Sequence, residues 1–441
     1  MRMVELLDKK RRGLPLSDGE IAWFVRGVTE GSLPDYQVSA MLMAICCMGM
    51  DHRETVTLTL EMAASGEMID PASVKGMTVD KHSTGGVGDK TTLALTPILA
   101  ACGATVVKMS GRGLGFTGGT IDKLETIPGF RSEMGREEFL AIVEKTGACV
   151  VGQSEGFAPA DKRLYALRDV TATTDSSALI VSSIMSKKLA AGSKCILLDV
   201  KCGSGSFIHT PEEAEPFARE MLAIGEAAGR RMMALVTEMD KPLGYAIGNV
   251  LEVKEALDML HGRGPEDFRE VVLTAASALL YLSRRERYPS RETGMAACRR
   301  EAEESIATGR AFEKLQEIIA AQGGDTSYLL QPGKWGKAKV QVPLPAPTDG
   351  YITHMNTALL GRASVALGAG RLEKTSSIDP LAGIMLRKKT GDAVTEGETL
   401  AVFHTSFEEK AEQAAVLWQE ALTFGEEPPH ARPPVLALLE P

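Results

Sequence analysis

The sequence predicts an α/β protein. It has a small all-α domain, a large mixed α/β domain with a mostly parallel sheet, and a C-terminal β-rich subdomain. Three observations carry this reading. Residues 1 to about 65 read as helices only. From about residue 77, apolar β-branched runs alternate with helical patterns, as in crossover α/β units. From about residue 338 the chain breaks into short β-type runs.

A chain of 441 residues can support two or three domains with cores of their own. The net charge of −9 offers no general attraction to nucleic acid or an anionic membrane, so an anion site has to be a local positive pocket. The seven cysteines show neither a Cys-x-x-Cys pair nor zinc spacing, and most lie in apolar runs. With no signal peptide and no apolar run long enough to span a bilayer, the expected location is the cytoplasm.

In chain order, Ser17-x-x-Glu20 and Asp51-x-x-Glu54 are capping boxes, and Gly13 and Gly31 suit helix stops. The segment Val38–Met48 is apolar nearly all round, which suits a central core or an oligomer interface. Residues 66–79, with Gly66, Pro71 and Gly76, read as a connector. Strands are expected at 77–82, 104–109, 148–152, 195–201 and 232–238. Residues 160–191 interrupt the alternation with two helices and a short break, too long for an ordinary loop within a sheet. Helices follow at about 211–229, 251–262, 265–283 and 291–321. In the tail, Gly391-Asp392-Ala393-Val394 with Gly397 and Leu400 resembles a biotinyl or lipoyl carrier barrel. It lacks the Met-Lys-Met type turn, so a structural domain is expected.

The chemistry concentrates between Asp80 and Lys123. Two strand–glycine loop–helix units stand there, Lys81–Asp89 and Ser110–Thr120. Backbone N–H groups in such loops bind anions, phosphate above all. Lys81 adds charge, and Ser83, Thr92, Ser110 and Thr120 add hydroxyls. Thr92 and Thr120 equally suit capping or packing within their helices. Lys187, beside Lys188, has the plain alternative of a solvated helix face.

KHSTGGVGD, SGRGLGFTGGTIDKLE, APADKRLYALRDVTAT and SKKLAAG, in this order, resemble the thymidine and pyrimidine-nucleoside phosphorylases over essentially the whole chain. The resemblance implies reversible phosphorolysis of uridine, thymidine or deoxyuridine to the free base and α-(deoxy)ribose 1-phosphate. A thymidine-restricted enzyme is the alternative, and an anthranilate-type phosphoribosyltransferase a more distant one. It implies no cofactor, inorganic phosphate as co-substrate, and a homodimer formed through the N-terminal helices. It divides the chain into an all-α dimerisation and base-binding domain (1–65 and 163–193), an α/β phosphate-binding domain (66–162 and 194–337) and the C-terminal subdomain (338–441). Chain crossings near 66–79, 153–162 and 190–195 would form the hinge of a closing cleft.

Residue by residue, the resemblance assigns phosphate to Lys81, Ser83, Thr92, Lys108, Ser110 and Thr120. It assigns the base to His82, Arg168, Ser183 and Lys187, with His82, Arg168 and Lys187 as the catalytic set. Arg168 and Lys187 would stabilise the departing anionic base. His82 would act as general acid or as a hydrogen-bond donor to the base O2. Tyr165 would line the same pocket or pack beside it. Two positions depart from the family. Phe116 replaces the histidine of GLGHTGG, whose imidazole hydrogen-bonds across the cleft on closure. Lys90 replaces a threonine beside the potassium site of bacterial relatives, which matches Gly88, Leu243, Ala246 and Glu255 here. The Lys90 ammonium, a compact monovalent cation with three donors, is expected in the ion's place, paired with Glu255; the plain alternative is that Lys90 points to solvent on the helix after the loop and leaves the ion site intact. With the ammonium in place, the metal set is vestigial and potassium is not required.

Overall fold

A computed structural model describes the 441-residue chain except residues 71–73, 114, 153–155 and 372–376. Parts of the expected connectors 66–79 and 153–162, and Leu114 of the second glycine loop, therefore lie outside the described residues.

Four helices open the chain: α1 (Met3–Arg11), α2 (Asp18–Glu30), α3 (Asp35–Met48) and α4 (His52–Ala64). Both capping boxes form. Ser17 accepts from the Glu20 N–H while Glu20 accepts from the Ser17 N–H at 2.7 Å. Asp51 and Glu54 make the same reciprocal pair at 2.7 and 3.0 Å. Glu54 does more than cap: its buried carboxylate also takes the Lys10 ammonium at 2.9 Å, which locks α4 to α1. On α3, Val38, Met41, Leu42 and Ile45 face the core, whereas Met43 and Met48 are exposed.

The main sheet uses β1 (Thr78–Ser83), β2 (Thr105–Ser110), β3 (Ala148–Gly152), β4 (Cys195–Cys202) and β5 (Arg231–Glu238), all parallel in the order β5-β4-β1-β2-β3. Between them run α5 (Thr91–Ala101), α6 (Thr120–Leu124), α7 (Arg136–Thr146), α8 (Pro159–Arg168), α9 (Ser177–Ala190) and α10 (Pro211–Ala227). The central strands are buried on both faces, as parallel sheets require. One face packs on α5 and on α12 (Glu266–Arg284), which follows α11 (Asn249–Leu260); the other packs on α9 and α10. Helices α8 and α9 leave the sheet's local pattern and pack against α2, α3 and α4.

Two features differ from the expectation. The helix expected over 291–321 is two helices, α13 (Arg291–Ala307) and α14 (Arg310–Ala321). Gly309 takes φ +79 between them, a left-handed conformation that ends one helix and starts the next. The chain end, assigned to the C-terminal subdomain, instead returns to the main sheet. Residues Val435–Leu439 pair antiparallel with β5 and cover what would be an open parallel edge. The rest of the tail builds two small antiparallel sheets, one of which takes in Ala246–Ile247 as an edge strand, with the helices Thr357–Ser364 and Glu408–Ala421. Among the described residues no helix is long and apolar enough to cross a membrane.

Candidate active site

Strand register gathers the first set of candidates. Val79 pairs with Val106 and Ser83 with Asp199. Side chains alternate along a strand, so this parity puts Lys81, Ser83, Lys108, Ser110 and Asp199 on the face towards α5. Asp80 and His82 face α9.

Lys81 is buried, with its ammonium 2.7 Å from Asp199 and 3.5 Å from Asp89. Burial works against its charge, but the two carboxylates outweigh burial and raise its pKa, so it stays an ammonium. Asp199 is shared: Lys201, wholly buried, lies 2.9 Å away, and Thr237 donates to it at 2.6 Å. Burial alone would raise the Asp89 pKa. Lys81, Lys201 and hydrogen bonds from Ser83 and Thr91 overcome this and hold it well below the usual carboxylate range. Lys81 is thus held between two carboxylates beside the first glycine loop, where Ser83 accepts from the Gly85 N–H at 3.2 Å.

Thr92 stands in the first turn of α5 and is nearly buried; Thr120 opens α6 and is half-buried. Lys123 binds the two loops together: its buried ammonium donates to the Asp89 carbonyl at 2.7 Å and pairs with Glu252 at 2.7 Å. Within the second loop Asp122 accepts from the Gly113 N–H at 2.6 Å and pairs with Arg371 at 3.0 Å. A Cβ on Gly119 would sit 2.1 Å from the Gly113 nitrogen, so this turn requires glycine. Phe116 does not point at a hydrogen-bond partner. It packs on the C-terminal subdomain, where a Cβ on Gly361 would meet its ring at 3.0 Å.

Lys108 is less free than its assignment to phosphate supposes. Its ammonium donates to the Lys81 carbonyl at 2.7 Å and the Met109 carbonyl at 3.3 Å, and lies 3.2 Å from Asp80. Burial, together with Lys188 and Lys81, pushes its pKa down to about 7 despite Asp80.

On the helical side, Ser183 and Lys187 lie one turn apart on α9, and the Lys187 ammonium donates to the Ser183 hydroxyl at 3.2 Å. It also pairs with Asp161 of α8 at 2.7 Å and lies 5.7 Å from the centre of the Tyr165 ring. Arg168 is buried and donates to the carbonyls of Thr173, Thr174 and Leu179 at 3.0, 2.9 and 3.1 Å. Three of its five N–H donors therefore close the α8–α9 turn, leaving two for a ligand. His82 lies between the two sides. The packing around it, then Lys188, Lys108, Lys81 and Lys187, hold its pKa well below the ordinary imidazole value. At neutral pH it is a neutral imidazole, suited to donate a hydrogen bond rather than to serve as an imidazolium acid.

At the other departure from the family, the Lys90 side chain is wholly buried. Its ammonium donates to the carbonyls of Leu243 at 2.7 Å and Ala246 at 3.0 Å and pairs with Glu255. The Gly88 carbonyl is taken by the Lys90 backbone N–H at 3.0 Å. These residues do not fit an additional potassium ion, because a second cation would meet the ammonium at the same oxygens.

Sequence reading missed the acids that hold these cations. Asp199 and Lys201 alternate within the otherwise apolar strand Cys195–Cys202, which is a visible signal of an in-facing ion pair. Asp161, near the start of α8, lies one helical turn before Tyr165 and could have been paired with a basic group on the next helix.

Residues 4–66, 75–312 and 351–425 match, in turn, the glycosyl transferase family helical bundle domain, the glycosyl transferase family a/b domain and the pyrimidine nucleoside phosphorylase C-terminal domain. The chain is 49% identical over 409 residues to a pyrimidine-nucleoside phosphorylase of Geobacillus stearothermophilus, covering 93% of each chain. It is 48% identical over 418 residues to that of Bacillus subtilis, covering 95% of each. Among solved structures, anthranilate phosphoribosyltransferase from Thermus thermophilus aligns with a TM-score of 0.57 at 20% identity. That alignment covers 72% of this chain and 98% of the other, and shows a shared fold.

Proposed function

The chain belongs to the pyrimidine-nucleoside phosphorylase family, and on that premise we infer that it phosphorolyses uridine, thymidine and deoxyuridine. Inorganic phosphate attacks C1′ of the nucleoside, the glycosidic bond breaks with oxocarbenium character, and the base departs with its bonding electrons. Inversion at C1′ yields the α-pentose 1-phosphate. The observation that carries this reading is the gathering of Lys81, Lys108, Lys187 and Lys188 around His82, where β1, β2 and α9 meet. An anionic nucleophile and an anionic leaving group both need such a field.

Lys81, Ser83, Ser110, Thr92 and Thr120 hold phosphate. Lys108 shapes the site from behind by fixing the Lys81 backbone. Ser183, Lys187 and the two spare donors of Arg168 face the base, and neutral His82 donates to its O2. The match of residues 351–425 to the phosphorylase C-terminal domain favours this reading over a phosphoribosyltransferase on the shared fold. The exposed Met43 and Met48 on α3 support a homodimer through the N-terminal helices. Seven free cysteines, five of them buried, suit a reducing cytoplasm. A panel of uridine, thymidine, deoxyuridine and cytidine, each with and without phosphate, tests the assignment. Phosphate-dependent release of uracil and thymine is expected, and turnover of thymidine alone would establish the restricted alternative.

Leaving-group dependence tests the base site. Arg168→Gln and Lys187→Met should lower kcat for ordinary pyrimidine nucleosides by more than for a substrate with a more acidic base. That base needs less help to leave. Equal losses for both substrates would mean that these two residues only position the nucleoside.

A further inference from the structure

Of the cations gathered around His82, one is assigned no contact with phosphate or base in the scheme above. Lys188 extends from α9, the helix of Ser183 and Lys187, but its ammonium lies in the main sheet. It donates to Asp80 of β1 at 2.8 Å and to the Met109 carbonyl of β2 at 3.1 Å. Asp80 immediately precedes Lys81 and His82, and Met109 precedes Ser110. Lys188 therefore joins the helix that faces the base to both strands that carry the phosphate loops. It does so near the end of α9, where the Ala190 carbonyl accepts from Ile69 at 2.8 Å and Gly192 turns the chain at φ +77. A contact so close to the chain crossings can persist while the far end of α9 moves.

The charge balance at this point is unusual for a merely structural pair. Asp80 is fully buried and faces two ammonium groups, Lys188 and Lys108, so the trio has an excess positive charge if both are protonated. One Asp80 oxygen, Oδ1, has no aligned hydrogen bond. An uncompensated buried cation costs stability.

We propose that Lys188 is a positioning residue for phosphorolysis, whose ammonium pins the base-facing helix to the strands of the phosphate loops and orients His82 between them. The inference rests on the phosphorolysis reading. Its charge has a second consequence. The groups facing His82 are Lys188 and Lys187 from α9, Lys108 from β2, and Lys81 and Asp80 from its own strand. Burial is the first cause of the lowered His82 pKa, and Lys188 is the first of the charged groups that add to it.

The test combines a titration that needs no turnover with kinetics. Histidine-labelled protein is titrated by NMR, with the His82 signal assigned by its loss in His82→Gln. In Lys188→Met the repulsion is gone and Asp80 is less compensated, so the His82 midpoint should rise by at least ~1 pH unit. Lys188→Arg should leave it near the wild-type value. Asp80→Asn removes a negative charge and should move the midpoint the other way, which keeps the test open should Lys188→Met fail to fold. In Lys188→Met, kcat should fall at least ~30-fold while inorganic phosphate, followed by its effect on thermal unfolding, binds within ~3-fold of wild type. An unchanged His82 midpoint in Lys188→Met, or in Asp80→Asn if only that variant folds, would overturn the proposal. So would a fall in phosphate affinity as large as the fall in kcat. If the wild type released no base from any pyrimidine nucleoside, the phosphorolysis reading would fail instead, and the titration would still report on Lys188.

Discussion

Lys81→Ala should lower kcat/KM by at least ~100-fold and raise the KM for phosphate, on the scale of a lost charge-assisted contact of ~3 kcal/mol. The geometry makes this variant informative. Lys81 is held charged by Asp199 and Asp89 at the mouth of the first glycine loop. When it is removed, Asp199 keeps Lys201 at 2.9 Å and the Thr237 hydroxyl at 2.6 Å, so the strand retains a compensated carboxylate and should fold. What is lost is the cation, while two acids remain to repel phosphate. Steady-state kinetics with phosphate as the varied substrate, at saturating uridine, measures the effect. Near-normal phosphate kinetics in Lys81→Ala would remove the phosphate assignment from this loop.

Much of the scaffold of this site was legible because local signals and the fold agree. The strands expected at 148–152, 195–201 and 232–238 appear as Ala148–Gly152, Cys195–Cys202 and Arg231–Glu238. Each is an apolar run with turn residues or helical patterns on either side, which suits a doubly covered parallel strand. Both capping boxes form, because Ser17 and Asp51 each find a glutamate three residues on. Long-range pairing was not legible. Nothing local in Val435–Leu439 indicates that it should leave the C-terminal subdomain and lie on β5, since any β-prone segment could occupy that edge.

The same limit governs the candidate site. Lys81, His82 and Ser110 announce themselves beside glycine loops. The acids that fix them, Asp199 on another strand and Asp161 on another helix, become meaningful only once the chain is folded. Arg168 shows a further limit. A basic residue in a recognised motif suggests a ligand, yet three of its donors serve its own turn. Such double use cannot be read from residue type.

Lys90→Met is expected to destabilise the protein by ~3–5 kcal/mol, the usual cost of leaving a buried charge without its partner. Glu255 would keep the N–H donors of Tyr245 and Ala246, at 2.9 and 3.2 Å, but no cation. The carbonyls of Leu243 and Ala246 would lose their donor. The loop they belong to is held on another side by Lys389, which donates to Pro242 and Gly244 at 2.7 and 3.0 Å and pairs with Asp267 at 2.5 Å. That second ammonium comes from the C-terminal subdomain and should keep the loop folded, so the loss is read as lower stability rather than as misfolding. Lys90→Thr makes the sharper test. Its short side chain withdraws the ammonium and leaves two carbonyls and a carboxylate, a donor set suited to a monovalent cation. Thermal unfolding and activity of the wild type should be the same in potassium, sodium and tetramethylammonium chloride at equal ionic strength, because the protein's own cation holds the site. Lys90→Thr should gain a specific response, with potassium raising its melting temperature and activity above those in the bulky organic cation. A wild type that requires potassium, or a Lys90→Met variant as stable as the wild type, would show that this ammonium does not do the ion's work.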